Sequence, residues 1–425
     1  MGEKQNQELG PSPPPRQKIV LRQSSVGWRD LLIISAAALG VLATFNVAGW
    51  RARILARVFR IENRPVIVTP PASFQPKVPP GFKVSVFARG FTQPRWIAVS
   101  PAGDVFVSDS AAGEVVVLHA PAGQPIAESR EIFADHLNLP FGIAFHHDWA
   151  YVAETDEVVR FHYDAKTSMR LGKLERILEL PGHGYNQHWT RSLAFSPDGE
   201  RMFVSVGSRT NISIESDPRR AAILVADPDG RNMRIYAAGL RNAVGIAFNS
   251  LSSHLWATVN ERDDMGDDIP SDYVTHVIEG GFYGWPYSYL GQHPDNRVAP
   301  RPDLVAKAIV PDVLLGAHVA PLQFVFYDSH QFPSSYWGGA FVAEHGSWNR
   351  RRKSGYQVAF IPFRGGVPAG EAIPFLSGFV PDPAGKIVYG RPTGVAVAPD
   401  GSLLISDDGG NLIWRVSYEP GSERN

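Results

Sequence analysis

Five stretches of the chain can be laid over one another: PRWIAVSPAGDVFVSD from Pro94, PFGIAFHHDWAYVAET from Pro140, TRSLAFSPDGERMFVSV from Thr190, RNAVGIAFNSLSSHLWATV from Arg241 and RPTGVAVAPDGSLLISDD from Arg391. Each reads as an alternating apolar strand, a turn spelled Pro-Asp-Gly or close to it, and a second strand. A degenerate sixth copy is APLQFVFY from Ala320, followed by WGGAFVAEHGSW from Trp337. Third strands follow in several copies, at 114–119, 158–163, 221–226, 355–362 and 412–418. Sheets of a few short strands cannot cover their own faces, so a unit repeated at this spacing must lean on its neighbours, as the blades of a β-propeller do. Six copies predict an all-β, six-bladed ring. The strand FKVSVFA, 82–88, stands outside the repeat and is expected to pair with the last blade, removing the open edges. A sandwich or a solenoid would leave that strand unexplained.

The chain ahead of the ring divides by composition. Residues 1–26 are polar, with the run PSPPP from Pro11, and read as a disordered tail. The stretch LLIISAAALGVLATFNVAGW, 31–50, carries no charge and matches the ~20 residues that cross a bilayer as a helix. With Trp28 and Trp50 at its ends it predicts a transmembrane anchor over 27–50, longer than the apolar core of a cleaved signal peptide. Basic residues flank it on both sides, so charge barely decides its direction. The orientation chosen, mostly on function, puts the tail inside and the large domain outside: a single pass of an inner membrane with a periplasmic domain. Six prolines between Pro65 and Pro80 make 51–80 an extended, semi-rigid linker. The ring then spans 81–419, with 420–425 a second tail.

Composition also removes chemistries. The chain has 40 Gly and 35 Pro, which suits many strands and turns, and no Cys. Disulfides, thiolate zinc sites, iron–sulfur clusters and CxxCH haem are thereby excluded, so redox work must ride on an organic cofactor or on oxygen and imidazole ligands. A net charge of −1 gives no reason to expect nucleic acid as a partner. GxSxG, HExxH, Walker A and GxGxxG patterns are all missing, which sets aside the commonest serine hydrolases, zincins and nicotinamide enzymes.

In a propeller the first residues of the innermost strands meet at the mouth of the central channel. Here they are Arg95, Phe141, His188 to Arg191, Arg241 with Asn242, and Arg391. Any single Arg is as well explained as a strand cap or a partner of Asp109 or Asp407. Several together with a histidine suggest an anionic ligand with more than one carboxylate. His188, after the loop GHGYNQ, is a candidate base for a hydroxyl proton, although a lone loop histidine is more often simply solvated. The loop ERDDMGDD gathers Glu261, Asp263, Asp264, Asp267 and Asp268, which repel one another unless a cation offsets them; it reads as a possible calcium rim. In AEHGSWNRR, Trp348 could stack on a flat ring or be an ordinary interblade aromatic, and the basic run from Arg350 to Lys353 reads as a solvated loop with a member or two in reach of an anion.

HWTRSLAFSPDG, GLRNAVGIAF, NERDDMGDD, GGFYGWPYSYLG, AFVAEHGSWNR and GRPTGVAVAPDGSLLISDD together resemble the sorbosone dehydrogenase branch of the pyrroloquinoline-quinone (PQQ)-dependent sugar dehydrogenases, over about residues 81–417. The resemblance implies six blades, PQQ and Ca²⁺ as cofactors, and oxidation of an aldose or a sugar aldehyde by hydride transfer to the quinone. It implies His188 as general base, Arg241 and Asn242 on the quinone, and Arg391 on a cofactor carboxylate. Asp263 and Asp264 align with the calcium segment, where the family uses mainly backbone carbonyls. Departures are Thr393, where the soluble glucose enzyme has a second arginine, and a fifth-blade lysine with no clear match. His345, Asn349 or Arg350 are the candidates to replace that lysine, and Arg262 is a further cofactor candidate. Electrons would leave to an external acceptor, a quinone or a cytochrome. The alternatives are a calcium-dependent propeller lactonase, which needs carboxylates converging on the channel axis, and a non-catalytic binding propeller of the envelope.

Overall fold

The structure, a computed structural model, describes residues 62–121, 123–182 and 188–420. The 27–50 span and the loop just ahead of His188 lie outside the described residues. Among the described residues no helix is long and apolar enough to cross a membrane.

Six four-stranded antiparallel sheets make the ring. Their innermost strands are Pro94–Val99, Ile143–His146, Leu193–Phe195, Ala243–Phe248, Pro321–Phe326 and Pro392–Val397, for blades 1 to 6 in order. Strand Phe82–Arg89 is the outermost strand of blade 6, with Phe82 opposite Tyr418 and Arg89 opposite Leu412, so the first strand closes the ring on the last. Around this join Phe82 meets Phe332, Tyr336, Phe375 and Tyr418 edge-on or tilted, an aromatic cluster that fastens the seam.

Blade 4 has a third strand, Ser271–His276, that the repeat did not reveal, and every blade has a fourth. The outermost strands hide little surface. Arg170–Glu179 is exposed along most of its length, so nothing selects an apolar alternation there.

The inner strands share a device that brings blades close. Their pairing slips after the first residue, between Pro94 and Ile97, Ala243 and Ile246, Pro321 and Phe324, and Pro392 and Gly394. Such a bulge leaves an amide unpaired. In blades 1, 4 and 6 a hydroxyl of the second strand accepts it: Ser108 from Trp96, Thr258 from Gly245 at 2.8 Å, Ser406 from Gly394 at 2.7 Å. Thr258 then donates to the Leu322 carbonyl of blade 5 at 2.6 Å, and Ser406 to the Arg95 carbonyl of blade 1. Blade 5 has Ala343 in that place, and Gln323 bridges instead, its amide accepting from Ile97 N–H and donating to Ile97 carbonyl. Gly245 is required by this approach, since a Cβ there would stand 2.4 Å from the Leu322 carbonyl oxygen.

Carboxylates at the ends of second strands hold the segments that lead into the first strands. Asp109 accepts the Thr92 and Gln93 amides, Glu154 that of Asn138, and Asp407 those of Arg391 and Gly410. Residues 62–80 lie along blade 5 and the approach to blade 6. Val66–Ile67 runs parallel to Ile387–Val388, Lys77 bridges to Ser377, and Phe74 packs on Phe379 and Tyr389.

Candidate active site

A cavity of about 300 Å³ opens at the end of the channel where the inner strands begin, at the small end of the range for ligand pockets. His188, Arg241, Asn242, Asp263, Trp348 and Asn349 line it, together with Arg95, Trp189, Asp272 and His318. Of the residues singled out in the sequence, Arg262, Asp264, His345, Arg350 and Arg391 do not.

His188 is pinned by one ring nitrogen. Nδ1 lies 2.8 Å from the Ser208 carbonyl and 3.0 Å from Ser208 Oγ. The carbonyl can only accept, and Ser208 Oγ donates its own hydrogen to the Thr210 carbonyl. Nδ1 therefore carries the proton, and Nε2 is left as the basic nitrogen. Burial, and then the Arg241 guanidinium, hold the imidazole well below its ordinary pKa of 6.5. Behind it the fully buried Arg191 donates to the carbonyls of His188, Thr190 and Pro181, fixing this stretch from beneath.

Gly207 explains how His188 reaches Asn242 on the next blade. A Cβ at Gly207 would lie 2.3 Å from Asn242 Oδ1 and 2.7 Å from His188 Cβ, so any side chain would push the two apart. Among the described residues Asn242 Oδ1, which is buried, has no hydrogen-bond partner, and neither has Arg95 Nε at the same cavity. Orphaned polar atoms in a cavity wall are what a polar ligand satisfies.

Arg241 is saturated by protein. Its nitrogens reach the carbonyls of Asn211, Asn260 and Glu261, the Asn211 side-chain oxygen, and Asp263 Oδ2 at 3.2 Å. Asn211, which no sequence motif marks, is the hub here: it also takes the Asp263 amide at 2.8 Å and the Trp285 indole N–H at 3.2 Å.

The acidic loop is answered by donors. Asp263 gives Oδ2 to Arg241 and Oδ1 to Asn349 at 2.7 Å, and its carbonyl accepts from Arg297 at 3.0 Å and from Asn211 at 3.2 Å. Asp264 is exposed and receives the Asn211 amide. Asp268 takes Arg350 at 2.8 Å, and Asp267 the Arg351 amide at 3.1 Å. The basic run read as solvated therefore pairs with this loop. Ca²⁺ needs six to eight oxygen ligands, and here guanidinium and amide donors already sit on the carboxylate and carbonyl oxygens. The donor set at Asp263 does not fit the ion.

Arg262 turns the other way, fully buried between Glu261 at 3.0 Å, Asp295 at 2.9 Å and the Ser288 carbonyl at 2.6 Å. Arg391 donates to the carbonyls of His345 and Gly346, both at 3.1 Å. His345 Nε2 donates to Asp408 at 2.9 Å, and Asp408 also pairs with Arg95. Burial, and then Arg391, press the His345 imidazole down to about 4, so it is neutral. Burial alone would raise Asp408, but His345 and Arg95 outweigh it and hold the carboxyl below its usual range. Arg95, named in the sequence only as one of a ring of cations, thus ties blade 1 to Asp408 of blade 6 while it faces the cavity. Asp272, unmarked in the sequence, accepts the Glu261 and Ala320 amides at 2.7 and 2.8 Å and is raised to about 7 by burial.

The TrAA12-like family matches residues 76–276 and 304–419, which include strands of all six blades. The chain belongs to that family. This TrAA12-like chain is 30% identical over 366 residues to an uncharacterised protein of Borreliella burgdorferi, covering 81% of this chain and 91% of that one. It is 24% identical over 339 residues to a pyrroloquinoline quinone-dependent pyranose dehydrogenase of Coprinopsis cinerea, covering 69% of this chain and 46% of the relative; it spans less than half that relative's length. Among solved structures, the holo form of the pyranose dehydrogenase PQQ domain from Coprinopsis cinerea superposes with a TM-score of 0.72 at 22% identity, over 82% of this chain and 98% of that one. The iodide structure of the Trichoderma reesei family AA12 enzyme gives 0.70 at 21%, over 82% and 100%. At such identities these neighbours show the shared six-bladed fold.

Proposed function

We propose that this TrAA12-like chain is a PQQ-dependent dehydrogenase that oxidises an aldose, or a sugar aldehyde of the sorbosone kind, at its anomeric or aldehyde carbon. The observation that carries the reading is the imidazole of His188, buried, neutral, locked in one tautomer, and beside Asn242 at the channel mouth. The pyranose dehydrogenase name of the Coprinopsis relative supports the substrate class.

The cavity fits a flat anionic quinone. Trp189 and Trp348 line it, and among the described residues Asn242 Oδ1 and Arg95 Nε are buried without partners. Arg95, Asn242 and Trp348 would hold PQQ, which supplies the hydride acceptor when bound, while Arg241, spent on protein acceptors, fixes the wall behind them. Arg391, implied as a carboxylate partner, acts one layer back by fixing the His345 and Gly346 carbonyls. No step is assigned to calcium, because both carboxylate oxygens and the carbonyl of Asp263 already accept from protein donors.

His188 Nε2 accepts the proton of the anomeric hydroxyl, or of one hydroxyl of the hydrated aldehyde, while the carbon bearing that hydroxyl gives up its hydride, leaving a lactone or an acid. The charge that develops on the ring strengthens the Nδ1–H bond to the Ser208 carbonyl, which keeps the imidazole in line. In the same reading the uncharged run 31–50 anchors the ring outside the inner membrane, where an external quinone or cytochrome takes the two electrons. Titrating PQQ into apoprotein and following dye reduction across an aldose and aldehyde panel tests the function. Saturable PQQ binding with no turnover of any sugar would overturn it.

A further inference from the structure

The cavity wall that carries Trp348 and Asn349 belongs to no sheet. It is the 345–356 loop joining Ala340–Glu344 to Gln357–Ile361 of blade 5. Left alone, such a loop would sample many conformations. It is gripped from two directions. On one side stands the acidic loop of blade 4, through Asn349 to Asp263, Arg350 to Asp268 and the Arg351 amide to Asp267.

On the other side stands chain from ahead of the ring. The Asn63 amide N–H donates to the Trp348 carbonyl at 2.9 Å. Its side-chain Nδ2 donates to the carbonyls of Arg351 at 2.9 Å and Gly385 at 3.3 Å, and Lys353 Nζ donates to the Asn63 carbonyl at 2.5 Å. Arg64 lies over the Trp348 ring, 5.7 Å from its centroid. Asn63 is 8% exposed and Lys353 7%, so these contacts are shielded from water although neither residue lies in a strand. Directly after them, the parallel pairing of Val66–Ile67 with Ile387–Val388 fixes where the segment lies. Asparagine suits the position: its amide presents two N–H donors, and two carbonyls meet it.

We propose that residues 62–68 form a strap that positions the Trp348–Asn349 wall, so that ligand retention in the cavity depends on chain lying outside the propeller. Asn63 is a positioning residue: it touches no reacting atom and acts through the carbonyls of the loop. The ligand half of this proposal rests on the reading of the cavity as a PQQ site; the loop half does not.

The test compares the full chain with Asn63→Ala and Asn63→Asp. Alanine strands the Arg351 and Gly385 carbonyls, and aspartate sets a third acceptor against them. Hydrogen exchange of peptides within 345–356 is expected to quicken at least about fivefold in both variants, more in the aspartate. The Kd for PQQ, read by absorbance titration, should rise about tenfold in Asn63→Ala, the loss of ~1.4 kcal/mol that two weak hydrogen bonds supply. At saturating PQQ, kcat should stay within about twofold, a split that general unfolding would not give. Unchanged exchange in both variants overturns the strap. Quickened exchange with unchanged PQQ affinity overturns its link to the cavity. If the wild type takes up no PQQ, the functional reading fails and the exchange measurement alone decides the strap.

Discussion

Replacing His188 by alanine removes an imidazole whose tautomer the cavity wall fixes, with Nε2 left as the basic nitrogen. A positioned general base contributes about 10²–10⁴ in rate. At ~1.36 kcal/mol per decade, that is about 3–5 kcal/mol of barrier. His188→Ala should therefore lower kcat at saturating PQQ by about that factor, while PQQ affinity, which rests on Arg95, Asn242 and Trp348, changes little. The pH dependence carries a sign. Burial, and then Arg241, push the folded-state pKa of His188 below 6.5, so the base is free throughout neutral pH and kcat/KM should stay flat down to about 6.5, with its acid limb below. The same depression links to stability. The unfolded chain takes up the proton first, so the stability held by the neutral ring is complete above 6.5 and is lost as pH falls from there toward the folded value. Steady-state dye reduction from pH 5 to 9 on both proteins, beside a PQQ titration, gives every quantity. A variant within about threefold of wild type in kcat, or an acid limb centred above 6.5, would refute the assignment.

Three further outcomes follow from the geometry. Gly245→Ala places a Cβ 2.4 Å from the Leu322 carbonyl and should cost about 1–3 kcal/mol in urea unfolding; a change below about 0.5 would mean that blades 4 and 5 have slack. Dialysis against EGTA should leave PQQ affinity within about twofold, because donors occupy the oxygens of Asp263; a large loss restored by Ca²⁺ would show that the ion finds its ligands elsewhere. Burial raises Asp272 from 3.8 to about 7, so its contribution to stability is greatest below 3.8 and is lost as pH rises to about 7. Asp272→Asn should flatten that decline in melting temperature, and an unaltered profile would show that the carboxyl does not titrate there.

The ring was legible because inner and second strands are buried on both sides and their apolar alternation survives in the sequence. The outermost strands of blades 1 to 5 were not, since exposure leaves their residues free to vary, whereas Phe82–Arg89 of blade 6 was. The third strand of blade 4 was hidden by the acidic loop that precedes it. At the site, strand starts located His188 and Asn242, but adjacency in sequence says nothing about which way a side chain turns. Arg262 follows the cavity-lining Glu261 and yet faces Asp295 and Ser288. Arg391 starts an inner strand and yet is spent on two carbonyls, while Arg95 faces the cavity. The acidic and basic loops were each visible as charge runs. That they neutralise one another depends on blades 4 and 5 being neighbours, which no local pattern encodes.

The seam formed by Phe82–Arg89 with Leu412–Tyr418 has a temporal cost. During synthesis the first strand of the ring emerges before any blade and its partner only with the sixth, so until then each nascent chain carries a β strand without its neighbour. Joining strands so distant in sequence also makes the final step slow. A cell making this protein in quantity must shield that strand until the terminal blade is complete, and loss of the last dozen residues should yield aggregates rather than a five-bladed enzyme.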